Sequence, residues 1–418
     1  MTPFRPLIWA AALAFALLPL YAAAAEIHSL SVEQAVELAL QRNPTLRAQS
    51  LSIASGKANE VTAGLRPNPV FVSSSQDFTA GLSQLFERGD KRQRRIDSAK
   101  LSTDIATSDF TDIRRGLVFL VRKTFTDALL AKSNLELAQA NLRNFQEVEA
   151  VNNIRFEKGD ISGADLLKIG LQKLQFQNDV ADATLALKTA RTTLRTLLNA
   201  PELVEDFEIE GTLSFKEFDT SLTDLKELAL RNRPDLRSAE TLTKKTDADI
   251  RLAIANSYTD VSLMLGYHHT EPGLTSSINP LFPTGPQENS VGFGFSFPLR
   301  IFDRNQGEIA RTRAEAIRAS SMAEAVRNQI NGDVEISYGT FRTSQERVRL
   351  YEEVYLNRAK ESREIAQFAY KSGATSILDL LEAERTYRGV QLAYRQALAT
   401  YLTNLHQLSA AVGTDVIK

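Results

Sequence analysis

Cysteine is absent from all 418 residues. The chain therefore has no disulfides and no thiolate metal sites, so packing or association must hold it together. After residue 25 no apolar run reaches the ~18 residues a membrane-crossing helix needs. Any crossing of a bilayer would have to be made by strands of a closed barrel. Net charge is almost absent too: 49 basic residues face 51 acidic ones, and a balance of −2 gives nucleic acid no electrostatic footing. There is no nucleophile–base signature, phosphate-binding loop or zinc motif, which argues against an enzyme. His28, His268, His269 and His406 do not converge on a metal-ligand spacing, so neither a metal nor another cofactor is expected.

Proline is missing from residue 70 to residue 200 and again from residue 299 to the end; both tracts are rich in Ala, Leu, Glu, Gln, Lys and Arg. Such tracts read as long helices. The pattern predicts a helix over 96–158, roughly 95 Å of rod, returning through a second over 162–198. The plan repeats over 308–370 and 376–408. Leu135, Ala138, Leu142 and Phe145 are spaced three and four apart, as are Tyr387, Val390, Tyr394, Leu398, Tyr401, Leu405 and Leu408. These are narrow seams of the coiled-coil kind, so the rods must lie along neighbours, within the chain or between chains.

Proline and glycine gather around 66–89 and 258–300, where the period changes to two. Val291, Phe293, Phe295, Phe297 and Leu299 point one way; Gly292, Gly294 and Ser296 point the other. Val261, Leu263, Leu265 and Tyr267 alternate likewise, and less regular partner strands are expected near 69–76 and 80–86. An apolar face opposite a small or polar one suits a membrane barrel strand, with an ordinary half-buried sheet as the alternative. One hairpin per half gives four strands, whereas a closed membrane barrel needs at least ~8. On that reading several copies must share one barrel. The stretch from His268 to Asn289, rich in Pro, Gly, Ser and Thr, reads as a long exposed loop.

Residues 1–25 read as a secretory signal peptide, with a membrane anchor as the alternative: Arg5, an apolar run from Leu7 to Leu20, then small residues up to Ala25. No cysteine follows that could carry a lipoprotein anchor. The basic cluster Lys91-Arg-Gln-Arg-Arg95 reads first as a solvated helix start and second as a contact for anionic lipid head groups.

The chain is also written twice. Ser31-Val-Glu-Gln-Ala-Val-Glu-Leu-Ala-Leu-Gln-Arg-Asn-Pro-Thr-Leu-Arg47 returns as Ser221-Leu-Thr-Asp-Leu-Lys-Glu-Leu-Ala-Leu-Arg-Asn-Arg-Pro-Asp-Leu-Arg237, about 190 residues on. Phe156-Glu-Lys-Gly-Asp-Ile-Ser-Gly-Ala-Asp-Leu-Leu167 returns as Tyr370-Lys-Ser-Gly-Ala-Thr-Ser-Ile-Leu-Asp-Leu-Leu381, about 214 residues on. The expected division is a first repeat over 26–200, a linker over 201–220 and a second repeat over 221–418. Duplication favours a pseudo-symmetric wall or ring over a single pocket.

With Ala63-Gly-Leu-Arg-Pro-Asn-Pro69, Phe297-Pro-Leu-Arg-Ile-Phe-Asp-Arg-Asn-Gln-Gly-Glu308 and Ser372-Gly-Ala-Thr-Ser-Ile-Leu-Asp-Leu-Leu-Glu-Ala383, these repeats resemble the outer-membrane factor (TolC-like) family of tripartite efflux and secretion systems. The resemblance covers essentially all of the mature chain. Pro298–Glu308 and Glu87-Arg-Gly-Asp-Lys-Arg92 look most like the heavy-metal branch of cobalt–zinc–cadmium and copper–silver pumps. What the resemblance implies is a mainly α chain with a membrane β part. Three copies would form a helical barrel continuous with a twelve-stranded outer-membrane β-barrel. The duct would extend into the periplasm and dock a periplasmic adaptor (membrane fusion protein) and an inner-membrane RND-type pump, with outer-membrane lipid around it and no nucleic acid. It would be a passive exit duct, for heavy-metal cations first, with multidrug efflux or type I protein secretion as alternatives. A periplasmic coiled-coil adaptor or scaffold is the rival of another class.

Asp379 and Glu382 are spaced i,i+3 and share a helix face. By residues alone they are equally well solvated first-turn carboxylates favoured by the helix dipole. The resemblance maps them, with Asp165 as the first-half equivalent of Asp379, onto the constriction that gates the pore. It maps Phe156, Gly159, Tyr370 and Gly373 onto the periplasmic turns that meet the adaptor. Thr375 stands where drug-efflux relatives often carry an arginine.

Overall fold

The computed structural model describes residues 27–74, 78–269 and 289–416; the expected signal peptide and residues 270–288 of the expected loop lie outside them. The first half of the chain runs β1 (Ile27–Leu30), α1 (Val32–Arg42), α2 (Pro44–Gly64), β2 (Val70–Ser74), β3 (Phe78–Phe86), α3 (Lys91–Glu157), α4 (Gly163–Leu198) and β4 (Leu203–Ile209). The second runs α5 (Leu222–Asn232), α6 (Pro234–Asn256), β5 (Val261–His269), β6 (Asn289–Ser296), α7 (Gln306–Leu350), a π-helical turn Tyr351–Tyr355, α8 (Leu356–Lys371) and α9 (Ile377–Val412). The four long helices expected from proline spacing are all present, and α3 alone has 67 residues.

Local chemistry sets the boundaries. Ser31 starts α1 with a capping box closed by Gln34. The Asn43 side chain then caps α2 by accepting from the Leu46 N–H at 3.1 Å, with Pro44 in the first turn. The second copy keeps this corner: φ/ψ is −63°/120° at Asn43 and −64°/119° at Arg233. Its chemistry differs. The buried Arg233 guanidinium bonds Asp235 at 2.6 Å and the Ala411 carbonyl at 3.1 Å, tying the corner to the end of α9. Both long helices, α3 and α7, begin after a left-handed residue, Asp90 (φ 57°) and Asn305 (φ 62°).

Within the Lys91–Arg95 cluster, Lys91 and Arg95 are tied into the protein, whereas Arg92 and Gln93 stay exposed. Lys91, 5% exposed, bonds Asp260 at 2.7 Å and the Tyr258 carbonyl at 2.8 Å. Arg92 donates to the Gly64 carbonyl, and Arg95 pairs with Glu87 and reaches the Leu65 carbonyl at 3.3 Å. The cations satisfy carbonyls at the end of α2 and join the two repeats.

The elements form layers with one shared order. The main sheet is antiparallel, β2-β3-β5-β6, so β2 from one repeat and β6 from the other are its open edges. Beside it, helices follow as α2, α3, α6, α7; farther along, as α4, α3, α9 and then α7–α8. The end members carry exposed apolar residues: Leu51 and Val61 on α2, Leu167, Leu171 and Leu174 on α4, Ile317 on α7, Ile365 and Phe368 on α8. Each level thus ends in one unpartnered edge from each repeat. The expected linker holds β4, which pairs in parallel with β1 and buries Leu203, Phe207 and Ile209.

The sheet faces alternate as the sequence pattern requires. Phe71, Leu82, Leu265 and Phe293 lie in one register row, and all are exposed. On the opposite face Gly81, Gly266 and Gly292 form a row, where a Cβ on Gly81 would come within 3.0 Å of the Leu265 carbonyl oxygen. His268 and His269 end β5 rather than lying in a loop. His268 meets Thr79 at 2.9 Å and His269 meets Asn289 at 2.8 Å, so cross-strand bonding extends the hairpin to them.

Candidate functional site

The two helical hairpins turn by the same device. Gly159 (φ 82°) follows α3, with its N–H bonded to the Phe156 carbonyl at 2.9 Å and the Asp160 N–H to that of Arg155 at 2.8 Å. Gly373 (φ 74°) follows α8, with its N–H on Tyr370 at 3.1 Å and the Ala374 N–H on Ala369 at 2.8 Å. Left-handed glycine ends the outgoing helix, and these bonds use its last carbonyls.

A capped serine starts each return. The Ser162 oxygen accepts from the Asp165 N–H at 3.1 Å and its hydroxyl donates to the Asp165 carboxylate at 2.8 Å, which Lys168 also bonds at 3.1 Å. In the second hairpin the Asp379 N–H donates to Ser376 at 3.3 Å and the Ser376 N–H donates back to the Asp379 carboxylate at 3.1 Å. The Thr375 and Ser376 hydroxyls add to that carboxylate. Thr375 thus completes the cap. The Thr375 hydroxyl, then Ser376, hold the Asp379 carboxyl below its usual range; the Ser162 hydroxyl, then Lys168, do the same for Asp165.

The paired carboxylates therefore differ in what they face. Asp379 is turned onto its own helix start, whereas Glu382 stands in solvent, 67% exposed, with Arg385 at 3.6 Å one turn on. Together they make an exposed row of acid, acid and base along α9.

The aromatic pair is unequal. Phe156 is 43% exposed, while Tyr370 is 8% exposed and bridges the hairpins. Its hydroxyl donates to Asn152 Oδ1 on α3 at 2.6 Å, and the Arg155 guanidinium sits 5.0 Å from its ring centre. Asn152 is itself fixed by donating to the Val148 carbonyl at 2.7 Å. A second tie lies one layer away: Arg388 of α9 pairs with Asp179 of α4 and rests over Phe176, whose ring is 4.8 Å from that of Phe145. Phe145, Ile169, Phe176, Tyr370, Ile377 and Leu380 form a small core joining both hairpins. A cleft of about 330 Å³ opens beside it, with Val148, Gln367, Tyr370, Glu384 and Arg388 in its wall.

Of the expected site residues, the turns bring Gly159 near Asp165 and Gly373 near Asp379, and Tyr370 alone crosses between hairpins. Asn152, Arg155, Asp179 and Arg388 escaped the sequence reading. The one available signal was Tyr370 standing in one turn where the other has Phe156.

Comparison with known proteins agrees with this architecture. The chain resembles the cobalt-zinc-cadmium resistance protein CzcC of Cupriavidus metallidurans, 24% identical over 87% of this chain and 85% of that protein. It also resembles the alkaline protease secretion protein AprF of Pseudomonas aeruginosa, 25% identical over 90% of this chain and 82% of that protein. The fold superposes on the crystal structure of CusC with a TM-score of 0.74 at 18% identity, covering 93% of each chain. The profile of the family described as "Outer membrane efflux protein" matches residues 35–200 and 225–414. With both halves of the duplication covered by that profile, the chain belongs to the outer membrane efflux protein family, whose members are channels of the outer membrane rather than enzymes.

Proposed function

We propose that three copies of this chain form the exit duct of a tripartite pump that exports heavy-metal cations. The layered order carries the reading: at every level one repeat's free edge is offered to the other repeat's edge on the next copy. Such a head-to-tail contact closes into a ring when its rotation permits. Four strands per copy make twelve in a ring of three, enough to close a membrane barrel whose exposed Phe and Leu rows face lipid. The long helices continue the wall into the periplasm. Energy comes from an inner-membrane RND-type pump, joined through a periplasmic adaptor that meets the turns at Phe156, Gly159, Tyr370 and Gly373. The tip is the gate. Tyr370–Asn152 and Arg388–Asp179 hold the hairpins together, and Asp165, Asp379 and Glu382 set its charge.

The metal cargo is supported by the likeness to CzcC and by the Pro298–Glu308 segment. Likeness to AprF supports a second reading, a duct for secreted protein. Susceptibility of cells with and without the chain separates them. Selective sensitivity to divalent metals, silver or copper on deletion is the expected result. Broad sensitivity to hydrophobic drugs would move the chain to multidrug efflux, and loss of a secreted protein without metal sensitivity would favour the second reading.

A further inference from the structure

The apolar face of the sheet ends at a pocket of about 420 Å³ where strands give way to helices. Val261, Phe295, Phe297 and Leu299 form its apolar wall, and Arg88 and Arg300 stand at its rim. Carboxylates nearby are already committed: Glu87 to Arg95, and Asp260 to Lys91 at 2.7 Å. Arg88 meets Asp260 through its backbone N–H at 2.9 Å and leaves its guanidinium in solvent. The Arg300 Nε is buried and has no hydrogen-bond partner. Two positive groups therefore flank an apolar slot, and Asp260, the carboxylate whose charge Arg300 feels, is already bonded to Lys91. Beyond the strands Leu299, Ile301 and Phe302 stay exposed, Phe302 at 89%, which an aqueous surface would disfavour.

We propose that this pocket holds an anionic phospholipid of the periplasmic leaflet, with its phosphodiester between Arg88 and Arg300 and an acyl chain along Phe295 and Phe297. The inference rests on the sheet being the membrane part of the duct. Guanidinium forks match phosphate oxygens in pairs, and the arginine stems can lie along apolar surface while their heads stay polar. A free phosphate would leave the Phe and Leu wall bare; a lipid covers both halves of the site.

The test reconstitutes the full channel into phosphatidylethanolamine vesicles with and without phosphatidylglycerol, records conductance, and counts lipid retained after extraction by native mass spectrometry. The wild type is expected to keep phosphatidylglycerol in preference to phosphatidylethanolamine. Arg88→Gln with Arg300→Gln should reduce that preference roughly tenfold or more at unchanged conductance. Arg88→Lys with Arg300→Lys should keep part of it, since charge remains and the fork is lost. Conducting wild-type channels with no preference, or an undiminished preference in the double glutamine variant, would overturn the lipid site and leave the duct standing. A wild type that forms no channels in either vesicle would remove both.

Discussion

If the hairpin turns are the gate, as proposed, single side chains there decide how firmly it shuts. The Tyr370 hydroxyl is the one polar atom that this ring sends across the hairpin boundary, and its partner Asn152 is only 1% exposed. Tyr370→Phe keeps the packing and strands the Asn152 oxygen, a loss of about 1 kcal/mol or roughly fivefold in the closed-to-open balance. Planar-bilayer recordings should show a higher open probability; an unaltered one would mean that the tie does not hold the gate. The charged row gives a second expectation. Glu382→Ala should lower cation preference and Arg385→Ala should raise it, because the two faces oppose each other at 3.6 Å. Reversal potentials read both, and no shift in either would remove the row from the pore. Asp379 carries a pH dependence of known sign. Its folded carboxyl titrates below the usual range, so the cap's contribution is complete above the ordinary carboxylate value and is lost as pH falls through the depressed one. Protection factors of the amides at residues 376–380, with the intrinsic pH dependence of exchange divided out, should hold from neutral pH down to about 4 and fall only below it. The spacing of Asp379 and Glu382 was visible in the sequence. That one carboxylate caps its helix while the other stands free was not, because i,i+3 spacing fixes a face and not a partner.

Among elements, the hairpin turns are the most exacting. Gly159 and Gly373 have open space around a would-be Cβ, so replacement costs only what the left-handed backbone demands. Each Gly→Ala change should weaken its turn by about 1 kcal/mol. The readout is roughly fivefold faster amide exchange confined to that hairpin end. Equal protection in variant and wild type would show that the turn relaxes to another conformation. Helix limits were legible to within a few residues, since serine caps and glycine stops act over one turn of chain. Strand β4 was not: its partner β1 lies more than 170 residues earlier, and a parallel pair leaves no hairpin signal. The Lys91–Arg95 cluster misled for a related reason. Its acceptors are mostly carbonyls, at Gly64, Leu65 and Tyr258, and a carbonyl acceptor leaves no mark in composition.

On the scale of the whole molecule, free edges matter most. The main sheet and the long-helix layers end in apolar or unpaired borders from opposite repeats, so one copy by itself leaves these layers unfinished. The chain has no cysteine, so an introduced pair offers the only thiols. With Phe71→Cys and Phe293→Cys on the two edge strands, a bifunctional maleimide should give a ladder ending at three chains. A ladder running past three would mean an open array. The duplicated sentence made this pseudo-symmetry legible, and the count of strands pointed to several copies. The order of layers needed the structure, because it depends on which helix faces of α3 meet α6 and α9. The glycine row Gly81–Gly266–Gly292 has an electrical consequence. A duct is a set of resistors in series, and resistance falls as the bore widens. On the proposed duct this row faces the bore and, Val72 of β2 apart, adds no side chain to it, so more of an applied voltage would drop at the tip. A current recording from such a duct would therefore report more on the turns around Tyr370 and Glu382 than on the sheet.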